Sequence, residues 1–545
     1  MKMAKAEQDR SASTNANARG LQWLTLLVWT AAVAGAINAF QRPLHVDVGF
    51  LLDVAGRVLD GERLYTDILE PNPPLVVYLM TLPAGFARLT GVDAVVCFRT
   101  GFLLLIAASA IVTWWVGRRW LPAGAAGFLA AASTAAVLLI EPGELGQRDG
   151  AMFVLLLPYL VAAGAHRAGH GIPRWLAGGI GVAAGVGIAL KPFFLVVLAA
   201  VEILMLLTRG GAAARRVAAV AAWTTLALYG GFVVLFHREY FGIAALAAEH
   251  YAFFAPIARV DLAALALILG AIAAWGFLLA WAREGARPLA PVLFFATAAV
   301  LSSVVLQGKG FPYHWVPAYV ATVAMLAFAA AVIARPGRPM LLAPAVLIAI
   351  GLGWAAWSAH ASTDEAWARL DRYPYHLSAF QRIVETAAPG EPVLSFWVAP
   401  GFPLVTYSSA TWGSSFSSHW LLPSMNVRSG RGGDASATRR FVLDVLERDL
   451  RGRRPGLLLI DRAPRYNNLV GFDFLAFMRS DSAVAQSLDA YRELTSIGSF
   501  VVLVRGDLDQ RIEVAGAGPG RVDPRLRFAT VEESAGPARA GGSRP

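Results

Sequence analysis

The chain is built from apolar runs about as long as a bilayer is thick, parted by short polar loops. The runs fall at 21–40, 94–116, 121–140, 151–165, 175–190, 193–208, 217–236, 260–282, 288–306, 315–334 and 339–358. Lipid offers no partner for a bare peptide group, so runs of this kind have to close their own backbone hydrogen bonds as helices. Composition agrees: 57% of the residues are hydrophobic and 15% charged, against about 25% charged in soluble domains. The net charge of +10 does not point to nucleic acid, because the basic residues are scattered through the short loops and form no single patch. Cys97 is the single cysteine, which excludes a disulfide within the chain and a thiolate metal cluster. Residues 1–20 are polar and carry Lys2, Lys5, Arg10 and Arg19. The run that follows is longer than a signal-peptide core, so it is expected to be retained as the first span.

One further run, Pro73 to Leu89, holds Pro83 and opens on two prolines. The positive-inside rule decides it. If it does not span, and the N-terminus is cytoplasmic, the inside loops hold Arg118 and Arg119; Arg167 and Arg174; Arg209, Arg215 and Arg216; Arg283 and Arg287; Arg335 and Arg338. If it does span, all these arginines face outward. The first arrangement gives about eleven spans, a long first outside loop at 41–93, and a C-terminal region outside. Within that loop, Val48, Leu51, Leu52, Ala55, Val58 and Leu59 recur at helical spacing, with Asp53, Arg57 and Asp60 opposite. That pattern predicts an amphipathic surface helix with a solvated acidic face.

From 359 charged residues become frequent and apolar runs shorten. Helices are expected at His376 to Ala387 and Arg439 to Leu450, and strands at Pro392 to Phe396, Gly456 to Asp461 and Ser499 to Val504. The alternation predicts a small extracytoplasmic α/β domain over 359–511, after a membrane domain over 21–358. The Gly-, Pro-, Arg- and Glu-rich stretch 512–545 is expected to be disordered.

On this topology the chemistry-bearing residues share one face of the membrane. The outside loops hold His45 and Asp47; Tyr65, Asp67 and Glu70; Glu141, Glu144, Gln147, Arg148 and Asp149; Lys191; and Gln307, Lys309, Tyr313 and His314. Charge beside apolar helices is costly and marks function. Asp47 opens the loop helix, where it can serve as an N-cap, as a general base, or as both. Asp149 can answer the dipole of its helix. Lys191 can snorkel to the interface. Lys309, between two glycines, suits a phosphate contact, and His314 is either an interfacial residue or a part of that contact.

The stretch Asp47-Val-Gly-Phe, then Leu59-Asp-Gly-Glu-Arg-Leu-Tyr65-Thr-Asp67, then Glu70-Pro-Asn-Pro-Pro74-Leu resembles the first outside loop of the GT-C superfamily of glycosyltransferases. That superfamily includes the protein O-mannosyltransferases and the lipid A aminoarabinose transferases. Gly146-Gln-Arg-Asp149, entering a span with Pro158-Tyr159, is similar to bacterial members, as is Gln307-Gly-Lys-Gly-Phe-Pro-Tyr-His314 with Pro317. Many members have two adjacent acids in the first loop; here Val48 follows Asp47, so a divalent metal has no paired-acid motif to support it.

The resemblance implies transfer of a sugar from a polyprenyl-phosphate donor to an extracytoplasmic hydroxyl of a lipid, glycan or protein, with no cofactor required by any motif. It implies Asp47 as base and Asp149 as a support for the acceptor or for that base. Arg148, Lys191, Lys309, Tyr313, His314, Tyr65 and Asp67 would contact the donor's phosphate and sugar. Two rivals remain. A transporter or flippase would be expected to show inverted repeats, and none is visible. A polysaccharide polymerase or ligase would be expected to carry its large soluble part mid-chain, whereas here it follows the spans.

Overall fold

The computed structural model describes residues 2–251, 259–334, 342–396, 398–430, 435–465 and 469–508. Arg335, Arg338 and the stretch 512–545 lie outside them. The membrane part consists of α1 (Lys2–Gln41), α2 (Val46–Leu59), α3 (Pro74–Thr90), α4 (Ala94–Gly117), α5 (Ala125–Leu139), α6 (Arg148–Arg167), α7 (Arg174–Ala189), α8 (Leu195–Arg209), α9 (Val217–Phe236), α10 (Glu239–Tyr251), α11 (Arg259–Trp281), α12 (Ala290–Gln307), α13 (Pro312–Ile333) and α14 (Ala343–Ala361). Among the described residues nine helical stretches are long and apolar enough to cross a membrane, while α3, α5 and α7 are shorter. The nine together with α5 and α7 occupy the eleven positions expected as spans, and α3 occupies the run expected not to cross. The helix α10 has no counterpart in the sequence expectations.

Burial orders the bundle. The span windows in α6 and α13 are 83% and 78% buried, whereas those in α9, α11 and α14 are 17% buried. Every residue of the alanine-rich α5 except Gly127 is buried, because small side chains let neighbouring helices approach closely. The outer helices turn Leu228 and Phe236 on α9, Leu267 and Trp275 on α11, and Leu347 and Trp354 on α14 outward. Such a surface suits lipid and not water.

After α14 the chain forms α15 (Thr363–Leu370), α16 (Leu377–Ala387), β1 (Pro392–Ser395), α17 (Val398–Tyr407), β2 (Thr411–Trp412), α18 (Leu422–Gly430), α19 (Ser436–Gly452), β3 (Leu457–Asp461), α20 (Phe474–Arg479), α21 (Ser482–Leu488), β4 (Tyr491–Ile497) and β5 (Phe500–Arg505). The sheet order is β2-β1-β3-β5-β4. The strands β2, β1 and β3 run parallel, with Val393 opposite Leu457, and β5 lies antiparallel to both β3 and β4. Side chains alternate along β3. Leu457 and Leu459 join a core with Phe380 and Val384 of α16. Leu458 and Ile460 join the continuous core that reaches the membrane helices.

That shared core corrects the expectation for α2. Its polar side does not simply meet water, because the C-terminal unit covers much of it. Gly49 lies so close to α17 that a Cβ there would sit 2.6 Å from Thr406 Oγ1, and Phe50 meets Phe402 edge-on at 5.6 Å. The backbone N–H of Leu69 donates to Ser415 O at 2.7 Å. Arg57 donates to Ser414 O at 3.1 Å and to both oxygens of Glu62. Arg453 grips the same Glu62 at 3.1 and 2.7 Å. Burial would raise the Glu62 carboxyl, but the bonds from Arg453 and Arg57 hold it down to about 2. Asp53, expected to be solvated, is half-buried beneath this junction; desolvation outweighs Arg57 and pushes it up to about 6. Asp60 alone keeps its solvent exposure, paired with Arg88 of α3 at 2.8 Å.

Candidate functional site

The helix α2 is capped two residues earlier than the sequence suggests. His45, not Asp47, is the N-cap: its Nδ1 accepts from the Asp47 N–H at 3.1 Å. The Asp47 carboxylate therefore has no capping duty and sits in the first turn, half-buried. Gln147, the N-cap of α6, places its side-chain amide 3.1 Å from Asp47 Oδ2 and 2.8 Å from His45 Nδ1. The other ring nitrogen of His45 lies 3.3 Å from Glu144. Burial raises the Glu144 carboxyl, and the charges of Asp47, Glu141 and Asp149 push the same way while His45 opposes them.

Cations stand beside these acids. Asp149, fully buried in the first turn of α6, accepts from Lys191 Nζ at 2.5 Å. Lys191 is thus an internal ion-pair partner, buried and not snorkelled. Its ammonium lies 4.9 Å from the centre of the Tyr313 ring, and Tyr313 meets His314 edge-on at 4.5 Å. Lys309 is set between Gly308 and Gly310, both at left-handed φ of 66° and 67°, a backbone that favours glycine. Burial lowers Lys309 to about 8, with help from the charges of Lys191 and Arg148. Burial likewise lowers Lys191 to about 8, against the pull of Asp149.

Arg148 is held by Asn72 Oδ1. Asn72 in turn donates twice to Glu70, once from its backbone at 2.9 Å and once from its side chain. Glu70 is completely buried. Desolvation raises its carboxyl, tempered by Asn72, by Ser417 of the C-terminal unit and by Arg148. Asn72 and Ser417 were not singled out by the sequence. An asparagine in a Pro-Asn-Pro loop and a serine in a serine-rich stretch carry no pattern of their own, and only the fold brings them to an arginine and a buried acid.

Asp47, Arg148, Asp149, Lys191, Lys309, Tyr313 and His314 are therefore gathered at one end of the bundle. Two of the sequence candidates are not brought into that group by the contacts they make. Asp67 is turned to Arg63, accepting from its N–H at 2.9 Å, and is partly exposed. Tyr65 is buried against His237 and Tyr240, and its hydroxyl donates to Asn72 O at 2.7 Å, so it braces the loop that carries Asn72.

Several polar atoms here are buried without a hydrogen-bond partner: Arg148 Nε, Asp149 Oδ1 and His314 Nδ1. Native interiors rarely leave such atoms unmatched, so their clustering suits a polar guest. Among the described residues no group of three or more His, Cys, Asp or Glu is placed to hold a metal ion.

The fold is similar to that of ArnT. The crystal structure of ArnT from Cupriavidus metallidurans in the apo state matches with a TM-score of 0.58 at 15% identity, covering 90% of this chain and 99% of that one. The likeness is one of fold, and it extends over membrane helices and C-terminal unit together. It agrees with the glycosyltransferase resemblance carried by the first-loop residues. No family model and no curated protein matches the sequence.

Proposed function

We propose that this chain transfers a sugar from a polyprenyl-phosphate donor to a hydroxyl of a lipid, glycan or protein acceptor at the outer membrane face. The observation that carries this reading is the meeting of three cations with two carboxylates at one end of a bundle of ArnT-like fold. Arg148, Lys191 and Lys309 would hold the phosphate and stabilise its charge as the anomeric bond breaks. Asp47, oriented by Gln147, would take the proton of the acceptor hydroxyl as its oxygen bonds to the anomeric carbon. Asp149 would hold Lys191 in place with Oδ2 and offer Oδ1 to a substrate hydroxyl. His314 and Tyr313 would line the sugar between the two lysines.

The test is single-turnover transfer by the full-length protein in nanodiscs, given polyprenyl phosphate labelled in its sugar and a mixture of envelope lipids and glycans. Cleavage of the sugar–phosphate bond with label recovered on an acceptor, or in water when no acceptor is present, supports the reading. Movement of intact donor across the bilayer without cleavage would replace it with the flippase reading.

A further inference from the structure

We propose that the groove between α1, α4 and α5 binds one anionic glycerophospholipid, with its phosphate at Arg118 and one acyl chain running inward past Trp29 and Trp114. The groove has a volume of about 680 Å³ and lies at the end of the bundle opposite the candidate site. Gln22, Arg118 and Pro122 mark its mouth, while Trp29, Ala110 and Ala130 lie deeper along their helices. From Gln22 to Trp29 is two turns of α1, about 10 Å of depth, which accepts most of an acyl chain within one leaflet.

Three features make it a built site. The first is shape: the α5 wall is made of alanine and glycine, and a Cβ at Gly127 would meet only Thr25 Cγ2 at 3.7 Å and Trp114 Cδ1 at 3.9 Å. Anything longer than a methyl group would project into the groove. The second is the company of rings at the membrane border, where tryptophans anchor. The third is charge: the Arg118 guanidinium stacks on the Trp114 ring at 4.3 Å, and Arg119 stacks on Trp115 beside it. Stacking fixes the height of the cation without neutralising it, leaving its N–H groups to a phosphate, the acceptor that guanidinium matches best. An apolar cleft left empty in hydrocarbon would forfeit dispersion contacts along its whole wall, so a chain fills it; Arg118 selects the head group.

The leaflet follows from the orientation read from the basic loops, but the binding does not depend on it, nor on any transfer activity. Native mass spectrometry of the full-length protein, titrated with phosphatidylglycerol or with phosphatidylcholine of the same chains, reads it directly. The first retained phosphatidylglycerol should bind about fivefold tighter than phosphatidylcholine, the worth of one basic residue near an anionic head group. Arg118→Gln should abolish that preference. Arg174→Gln, which removes the same charge from an exposed position on the same side of the bundle, should keep it. Gly127→Leu should lose phosphatidylglycerol with every arginine intact. Equal binding of the two lipids by the native chain overturns the proposal. So does equal loss in the two arginine variants, which would mean diffuse surface attraction, or undiminished binding by Gly127→Leu. Should Gly127→Leu fail to fold, the arginine pair decides alone.

Discussion

The same two helices, α6 and α8, carry or adjoin two sets of buried charge, and the sets are finished differently. Toward one end of the bundle, Arg216 donates to both oxygens of Glu202 at 2.6 and 2.7 Å, and Tyr159 donates to Glu202 at 2.5 Å. Arg216 Nε closes on Ala213 O at 2.9 Å. None of the polar side-chain atoms of these three residues is among those buried without a partner. At the other end, Asp149 and Lys191 form an equally buried pair, yet Asp149 Oδ1, Arg148 Nε and His314 Nδ1 around it lack partners. A saturated network pins helices together and has no capacity left for a ligand. An unsaturated one carries desolvation cost that a bound phosphate and sugar would relieve. Burial of charge in a membrane is therefore a poor guide to function until the bonds are counted.

The contrast is broken or sharpened most strongly at Asp47. Since His45 does the capping, Asp47→Asn should leave thermal unfolding unchanged and cut transfer by about 10²–10⁴-fold, the usual worth of a positioned base. Transfer at the native rate would remove Asp47 from the chemistry and leave Glu144 or Asp149 as the acid to test. Next comes the saturated network. Glu202→Ala strands Arg216 and should cost about 3–5 kcal/mol of stability, read from unfolding in detergent, and more than Asp149→Asn costs. The reverse ranking would mean that the open cluster is the structural one. The smallest effect is in pH. Lys191 and Lys309 are held down to about 8, so they are charged below that pH and lose their charge above it. Donor use at low donor should fall as pH climbs past about 8. Lys309→Arg should make that limb shallower, because guanidinium stays protonated, while Lys309→Met should depress donor use across the whole range. A limb identical in all three proteins would separate Lys309 from the phosphate.

Much of the membrane part is legible in the sequence, because hydrophobic length and loop charge report directly on the lipid. The C-terminal helices and the three strands expected appear within a few residues of their sequence positions, since period and turn residues are local signals. What stays hidden is pairing between distant parts. Asp53 looks solvated until Ser414 and Arg453 arrive over the same helix, and nothing in its neighbourhood announces them. Asp67 carries the same Tyr-x-Asp spacing whether it faces a sugar or its own Arg63. The N-cap is misjudged for a related reason: aspartate caps far more often than histidine, and only the contact with Gln147 and Glu144 shows why His45 takes that place.

The clasp between the loop that follows α1 and the C-terminal unit also imposes an order in time. Glu62 and the arginine that closes on it, Arg453, are 391 residues apart. At about 5–20 residues per second, a ribosome makes the one roughly 20–80 s before the other. During that interval the helix bearing Asp47 has already been made, with Asp53 and Arg57 lacking their cover. The loop cannot take up its final arrangement until the sheet has formed, so a nascent chain is assembled as a membrane protein well before it is assembled as a site.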